Sequence, residues 1–199
     1  MSRQWKRRRF LRDALLLSAG VAAGTAGSWS LSGRILENQA SAAEEPASAE
    51  ARLRQLGIEL PPSPKPVAVY VPAVVSGNLL FASGHAARRD GKLVQGRVGS
   101  ELTLKEGYQA ARQTGIDMLS TVRATLGSLD KVVRLVKVTG MVNCTPDFTQ
   151  QPEVVNGFSE LMVEVFGEKH GKGARSAVGM GSLPRNIPVE IEAIFEVRP

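Results

Sequence analysis

The chain of 199 residues carries 25 Lys and Arg against 19 Asp and Glu, a formal charge of +6. Seven of the basic residues lie in 1–42, which leaves eighteen basic and seventeen acidic residues in 43–199. The body therefore has no excess of cations of the kind that indicates nucleic-acid binding. A single cysteine excludes an intramolecular disulfide, and with only two histidines it argues against a zinc site, so we expect no metal.

The first 42 residues have the pattern of a targeting segment and cleavage region. Arg7 and Arg8 are followed by one variable residue, Phe-Leu and a basic residue, and then by a moderately apolar run over 14–26. This order resembles a bacterial twin-arginine signal, which exports folded proteins. The run is too short and too rich in glycine to favour a membrane span, although an uncleaved anchor is the alternative. We expect a periplasmic or otherwise exported protein that meets the membrane only through this leader.

Residues 43–66 are expected to connect the leader to the folded part. Their start is rich in Ala, Glu and Ser, which predicts a disordered spacer. A short helical stretch follows from Ala49 to Leu56. Four prolines between 61 and 66 then predict an extended arm that cannot join a regular sheet. The folded domain is expected to occupy 67–199.

The first part of this domain has the pattern of β-structure. Two β-rich runs, 67–75 and 79–83, flank a Ser-Gly-Asn turn and predict a hairpin. A third short strand is expected over 93–98.

Two helices and three strands are expected in the rest of the chain. A capping box at Thr103 begins a helix that ends near Gly127, and a second helix is expected from Gln151 to Gly167. A valine-rich strand over 132–142 separates the helices, and two strands end the chain. The order βββ-α-β-α-ββ predicts an α+β fold, with a single sheet and two long helices on one face.

The C-terminal stretch contains the strongest candidate for chemistry. It reads Ala-Arg-Ser-Ala-Val-Gly from 174 and, after a proline-containing turn, Val-Glu-Ile-Glu-Ala-Ile-Phe-Glu-Val from 189. Arg175 and Glu190 are therefore expected to lie on neighbouring strands and to share a cleft. A guanidinium can hold a carboxylate by two hydrogen bonds, and a nearby glutamate can hold a water molecule and move a proton. A solvated surface without chemistry is the alternative.

These motifs resemble those of the RidA/YjgF (Rid) family of enamine and imine deaminases, of which the chain looks like a divergent member. The resemblance covers about 67–197 and is strongest in Ala-Arg-Ser-Ala-Val, Leu183-Pro184 and Val-Glu-Ile-Glu-Ala-Ile. Asn-Leu-Leu-Phe-Ala-Ser-Gly at 78–84 is similar to the family's early strand. The resemblance implies a fold like that of the bacillus-type chorismate mutase, and homotrimers with clefts between subunits.

The resemblance also implies roles for single residues. Arg175 would bind the carboxylate of the substrate together with the backbone amide of Gly84, and Glu190 would position the attacking water. Other side chains near the pocket would be those of Tyr70, Ser83 and Asn156. The implied reaction converts a small 2-imino or enamino acid to a 2-keto acid and ammonia, with no metal or cofactor.

The sequence departs from the family pattern at two of these motifs. Ala177 stands where cysteine is common, and His85 stands where glutamine is common and could lie at the rim of the pocket. Glu192 shares a strand face with Glu190 and could exchange roles with it. Cys144 is expected to be a small buried residue.

Two other functions remain open at this point. A non-catalytic module could bind a small carboxylate in the same cleft without turning it over. An endoribonuclease is the less favoured reading, because RNA affinity needs clustered cations that the body lacks.

Overall fold

The computed structural model describes residues 48–63 and 69–198. The predicted twin-arginine signal, the spacer up to residue 47 and the arm at 64–68 lie outside the described residues. The helices are α1 (Ala49–Gln55), α2 (Leu104–Leu126), α3 (Gln151–Phe166) and α4 (Glu168–Gly171). The strands are β1 (Ala73–Ser76), β2 (Leu79–His85), β3 (Arg88–Arg89), β4 (Lys92–Leu93), β5 (Val132–Asn143), β6 (Ala174–Met180) and β7 (Val189–Val197). Single 3-10 turns lie at Leu129–Lys131 and Pro184–Asn186.

One five-stranded sheet carries the fold, in the order β1-β2-β7-β5-β6. Its pairs are antiparallel except β5 and β6, which run parallel. The two long helices α2 and α3 pack together and against this sheet. The predicted α+β fold, with one main sheet and two long helices, is confirmed. Among the described residues, no helix combines the length and apolar character needed to cross a membrane.

The two C-terminal strands are not neighbours, contrary to the expectation for Arg175 and Glu190. β5 lies between β6 and β7 and pairs with both. The reason is the helix between β5 and β6, because a strand–helix–strand connection returns the chain to its starting end and makes the next strand parallel. β6 therefore takes the outer edge of β5, and β7 fills the position between β5 and β2.

The third strand predicted over 93–98 is also wrong in its extent. β4 ends at Leu93 and pairs only with β3, in a small separate sheet. Gly96 and Gly99 have φ values of +130° and +91°, which interrupt an extended chain. Val98 keeps only isolated bridges.

The core lies between the sheet and the two long helices. In β7 the alternate residues from Val189 to Val197 are buried, and they face the apolar side of α2 and α3. α2 begins at the predicted capping box, with both hydrogen bonds between Thr103 and Glu106 present. The helices approach closely at Gly157, where a Cβ would lie 3.0 Å from the carbonyl carbon of Tyr108. A larger residue there would push α2 and α3 apart.

The opposite side of the sheet is not covered by any described element. We call it the open sheet face, and its side chains include those of Val74, Phe81, Met141, Val178, Glu190, Glu192 and Ile194. They share this face because successive strand residues alternate and directly paired residues point the same way. Val74 is 50% exposed, while Phe81 and Val178 are each 42% exposed. An apolar surface of this kind is typical of a contact with another protein chain.

Candidate active site

A cleft of about 470 Å³ opens where β2 ends and β7 begins. Its walls include Tyr70, Ser83, Gly84, His85, Glu190 and Glu192, four of which were predicted to line the site or to act in it. Two arginines that the sequence reading did not single out, Arg88 and Arg185, also line it. The structure therefore brings Tyr70, Ser83, Gly84 and Glu190 together in one hollow.

The carboxyl group of Glu190 lies directly against the backbone of Gly84. A Cβ at Gly84 would be 2.9 Å from the carboxyl carbon of Glu190 and closer still to one of its oxygens. The pairing of β2 with β7 is irregular between Ala82 and His85, so the chain at Gly84 departs from the regular ladder. Such irregularities re-aim groups next to active sites. The absence of a side chain at 84 is what makes room for the carboxylate.

Glu190 is placed to carry a proton. The residue is half-buried, and burial raises the pKa of its carboxyl above the ordinary value, with a further increase from the charge of Glu192. No described residue donates a hydrogen bond to this carboxylate, so its oxygens are free to meet water or a ligand in the cleft. A carboxylate with a raised pKa is suited to both accepting and returning a proton.

His85 is fixed inside the wall of the cleft rather than free at its rim. One ring nitrogen, Nδ1, lies 2.7 Å from the carbonyl oxygen of Ser83, and Nε2 lies 2.8 Å from the hydroxyl of Thr121. Because a carbonyl only accepts, Nδ1–H donates to Ser83 and Nε2 accepts from Thr121. Burial lowers the pKa of this histidine. Burial therefore favours the neutral ring, and both of its nitrogens have hydrogen-bond partners.

Ser83 donates two hydrogen bonds to the backbone segment that follows Tyr70. The hydroxyl of Ser83 donates to the carbonyl oxygen of Val71 at 2.7 Å, and the amide of Ser83 donates to that of Pro72 at 3.0 Å. These two bonds hold the segment that carries Tyr70 at the mouth of the cleft. The Ser83 hydroxyl thus positions the wall.

Arg175 lies in a different place. Its Nη1 donates to Asn156 Oδ1 at 2.8 Å and to Ser159 Oγ at 3.0 Å, both on α3, in what we call the Arg175 hollow.

Arg175 pairs with Val138, which pairs with Ala193, so all three point toward the helices, whereas Glu190 points to the open sheet face. The expectation that Arg175 and Glu190 share a cleft within one chain is therefore wrong. Asn156 contacts the arginine and does not line the cleft.

Cys144 and the second histidine of the chain, His170, line neither hollow. Cys144 is buried, as predicted, with its sulfur 3.5 Å from Gln151 Nε2. His170 is exposed. The missed residues Arg88 and Arg185 had only weak signals, since a proline before Arg185 indicated a turn but not the direction of its side chain.

Comparison with known proteins identifies the family of the chain. Residues 50–189 match the family model described as "YjgF/chorismate_mutase-like, putative endoribonuclease". Protein TCP17 of Trypanosoma cruzi is 43% identical over 148 residues, which cover 74% of this chain and 92% of TCP17. A 2-iminobutanoate/2-iminopropanoate deaminase of Dermatophagoides farinae is 30% identical over 142 residues, which cover 70% of this chain and 94% of that protein.

A solved structure shows the same fold. The crystal structure of Atu1372 from Agrobacterium tumefaciens, a protein of unknown function, is 43% identical in sequence and has a TM-score of 0.70. The match covers 75% of this chain and 92% of that one. With a family model that spans most of the chain and relatives matched over nearly their whole length, the chain belongs to the YjgF family.

Proposed function

We propose that this chain is an exported hydrolase that deaminates small 2-imino and enamino acids to 2-keto acids and ammonia. The observation that carries the proposal is the half-buried carboxylate of Glu190, which lies against Gly84 without a described hydrogen-bond donor. The relative named 2-iminobutanoate/2-iminopropanoate deaminase supports this reaction class. The cleft has the size of a small-molecule site.

The reaction needs one water molecule and a group that moves protons. An enamine first gains a proton on carbon and loses one from nitrogen, which gives the imine. Water then adds to the imine carbon, so that a C–O bond forms while the π electrons of C=N move to nitrogen, which is protonated. The resulting carbinolamine gains a proton on nitrogen and loses its hydroxyl proton as C=O forms and the C–N bond breaks, so that nitrogen leaves as ammonia.

Glu190 performs the proton transfers in this proposal. It accepts a proton from the attacking water and returns one to the departing nitrogen. Because its pKa is raised, a larger fraction of Glu190 carries a proton near neutral pH than of an ordinary glutamate, while its ionised form accepts a proton from water. The amide of Gly84, beside it, lies within the same wall and can donate to a substrate carboxylate.

Arg175 supplies the cation for the substrate carboxylate. Its described partners, Asn156 and Ser159, are neutral acceptors, so they orient the guanidinium without cancelling its charge. A guanidinium held in this way can still offer its remaining N–H groups to a carboxylate. Arg175 and Glu190 face opposite sides of the sheet, and one copy of the chain cannot bring them to one small ligand.

The site is therefore proposed to form between subunits of a homotrimer. The open sheet face, with Val74, Phe81 and Val178 exposed, is the surface on which copies would associate. A head-to-tail contact repeated by rotation closes into a ring and places two different patches of the chain against each other. Each cleft would then receive Glu190 from one copy and Arg175 from the next.

Subunit mixing tests both the reaction and the assembly. Arg175→Gln and Glu190→Gln chains are each expected to release little ammonia from freshly generated 2-iminobutanoate. Coexpressed in one cell, they should regain activity, because about one quarter of the clefts in randomly mixed trimers contain both wild-type residues. Mixed trimers without activity above the sum of the two variants would contradict a shared site. No ammonia release by the wild type would contradict the reaction itself.

The same measurements distinguish the two other functions. A binding module would bind 2-oxobutanoate, the keto product, in calorimetry while the imine decayed at its uncatalysed rate. An endoribonuclease would cleave RNA and lose that activity in Glu190→Gln. The near-neutral charge of 43–199 argues against the second outcome.

The exported location is supported by the twin-arginine pattern of the leader. Replacing Arg7 and Arg8 with lysine preserves the charge but removes the pattern. In a bacterial host with this export route, we expect the wild type in the periplasmic fraction and the double variant in the cytoplasm. Equal distribution of the two chains would contradict export by this route.

A further inference from the structure

The Pro184–Asn186 turn holds an arginine over the cleft in a strained conformation. Arg185 and Asn186 both have positive φ, +58° and +57°, which is uncommon for consecutive residues other than glycine. Strain of this kind persists only where the surroundings enforce it, and it concentrates at functional sites.

Hydrogen bonds from two segments enforce this turn. Gln95 Nε2 donates to the carbonyl oxygen of Arg185 at 2.7 Å, and the amide of Gly96 donates to that of Asn186 at 2.8 Å. Asn143 Nδ2 donates to Asn186 Oδ1 at 3.0 Å. These bonds use the carbonyl oxygens of Arg185 and Asn186 and the side chain of Asn186, and none of them uses the side chain of Arg185. Among the described residues, no hydrogen bond or ion pair uses the guanidinium of Arg185, and the residue lines the cleft.

Arg88 adds a second cation to the same wall. Its backbone amide donates to Asp117 Oδ2 at 3.0 Å, and the residue lines the cleft. Its charge also acts on the neighbouring His85, whose pKa it helps to lower. Among residues 48–63 and 69–198, neither Arg88 nor Arg185 forms an ion pair with a carboxylate.

From this arrangement we infer that the cleft takes an imino acid with a second carboxylate on its side chain, such as the imines of aspartate and glutamate. The inference rests on the proposed function. In the inferred complex, Arg175 of a neighbouring copy binds the carboxylate next to the reacting carbon. Arg185, with Arg88 behind it, binds the distal carboxylate. A monocarboxylic imine would leave these two cations without a partner.

The cleft also contains the acidic side chains of Glu190 and Glu192, which repel an anion. A ligand must therefore lie with its distal carboxylate toward the arginines and its imine carbon toward Glu190. The charges of the cleft thus orient the substrate as well as select it, because the reversed orientation brings like charges together.

The test compares the imine of aspartate with that of asparagine, which has the same shape but no distal charge. Both are generated in place by amino-acid oxidases, and the measured quantity is the ratio of their kcat/KM values for ammonia release. We expect the wild-type protein to favour the aspartate imine by about 10- to 100-fold, the size of one charge-assisted pair. Arg185→Gln should bring this ratio close to one, and Arg88→Gln should lower it less.

Arg89→Gln is the matched control. Arg89 is the exposed neighbour of Arg88 and does not line the cleft, so this variant removes the same charge outside the cleft. Its ratio should equal that of the wild type. A wild-type ratio near one, or a ratio that Arg185→Gln does not change, would overturn the inference while leaving the deaminase proposal intact.

A binding measurement separates failure of the inference from failure of the proposed reaction. Calorimetry compares 2-oxoglutarate with 2-oxopentanoate, which has the same carbon chain but a methyl group in place of the distal carboxylate. At least about tenfold tighter binding of 2-oxoglutarate, lost in Arg185→Gln, would support the second carboxylate even in a protein that releases no ammonia. Equal binding of the two acids would overturn it.

Discussion

Glu190 and Gly84 are in contact across two strands, with the carboxyl group of the glutamate in the space that a side chain at 84 would fill. The contact is possible because β2 and β7 lose their regular register at this point. The glycine at 84 and the carboxylate at 190 therefore form a single structural unit in the wall of the cleft.

Gly84→Ala should inactivate the protein without unfolding it. The added methyl group meets the flexible end of Glu190, and Gly84 does not have a left-handed φ, so the stability change should stay within about 1 kcal/mol. The displaced carboxylate should lower kcat for imine hydrolysis on the order of 100-fold, as misplaced catalytic groups do. Steady-state kinetics and urea unfolding of the same preparation check both parts.

Gly181→Ala is the control for this variant, because a Cβ at Gly181 meets nothing within 4 Å. It should leave kcat unchanged. If Gly84→Ala retained full activity, the Glu190 carboxylate would not need its observed position.

Asn156→Asp should weaken substrate binding while preserving the shape of the Arg175 hollow. Asparagine and aspartate are nearly isosteric, so the hydrogen bond to Arg175 remains, but the new carboxylate competes with that of the substrate. We expect KM to increase about tenfold or more, with a stability change of at most about 1 kcal/mol, as for an exposed ion pair. The measurement is the KM for 2-iminobutanoate.

Gln109→Glu adds the same charge to an exposed position on α2 and should not change KM. An Asn156→Asp protein with wild-type KM would show that Arg175 does not bind the substrate.

Glu192→Gln should shift the pH profile of the reaction to lower pH. The charge of Glu192 contributes to the raised pKa of Glu190, so its removal lowers that pKa. Glu190 must be ionised to accept a proton from water, and the acidic limb of kcat/KM follows its pKa. Glu196→Gln, farther along the same strand, should not shift the acidic limb. If the wild type, Glu192→Gln and Glu196→Gln shared one acidic limb, that limb would not report the pKa of Glu190.

Replacement of His85 should change how stability depends on pH. Burial lowers the pKa of this histidine in the folded protein below its ordinary value of 6.5. When the pH falls below 6.5, the unfolded chain takes up a proton that the folded chain does not. The contribution of His85 to the free energy of unfolding is therefore fully present above this pH and declines below it. His85→Gln should reduce the decline in the free energy of unfolding between about pH 7.5 and about pH 5.5.

His170→Gln removes an exposed histidine and should keep the wild-type slope. The measurement is urea unfolding at a fixed protein concentration. Equal slopes in the two variants would mean that His85 titrates normally.

The sequence predicted most of the fold because its signals were local. The capping box at Thr103, the glycine after α2 and the alternation in β7 each act within a few residues, and each element formed where predicted. Strand order depends on which edges the chain can reach, and no local pattern contains that information. β6 lies outside β5 because α3 connects these two strands by a crossover. The sequence pattern showed two successive strands at the end of the chain but did not show that they do not pair.

The candidate site was predicted in part for the same reason. The Ser-Gly and Val-Glu-Ile-Glu motifs located one wall, since these segments form β2 and β7, which pair directly. Arg175 was expected beside Glu190 because their motifs are close in sequence, whereas β5 separates their strands in the sheet. Arg185 was missed because its position depends on a strained turn that is held from Gln95 and Asn143.

The close contact between Gly157 and Tyr108 lies next to the Arg175 hollow. Gly157 follows Asn156 directly in α3, so the turn of helix that touches α2 is the same turn that orients the guanidinium of Arg175. A substitution that loosens the helix pair would also move the guanidinium of Arg175, which we propose binds the substrate carboxylate. Substitutions in this turn of α3 should therefore change substrate affinity and thermal stability together, and selection for one property would constrain the other.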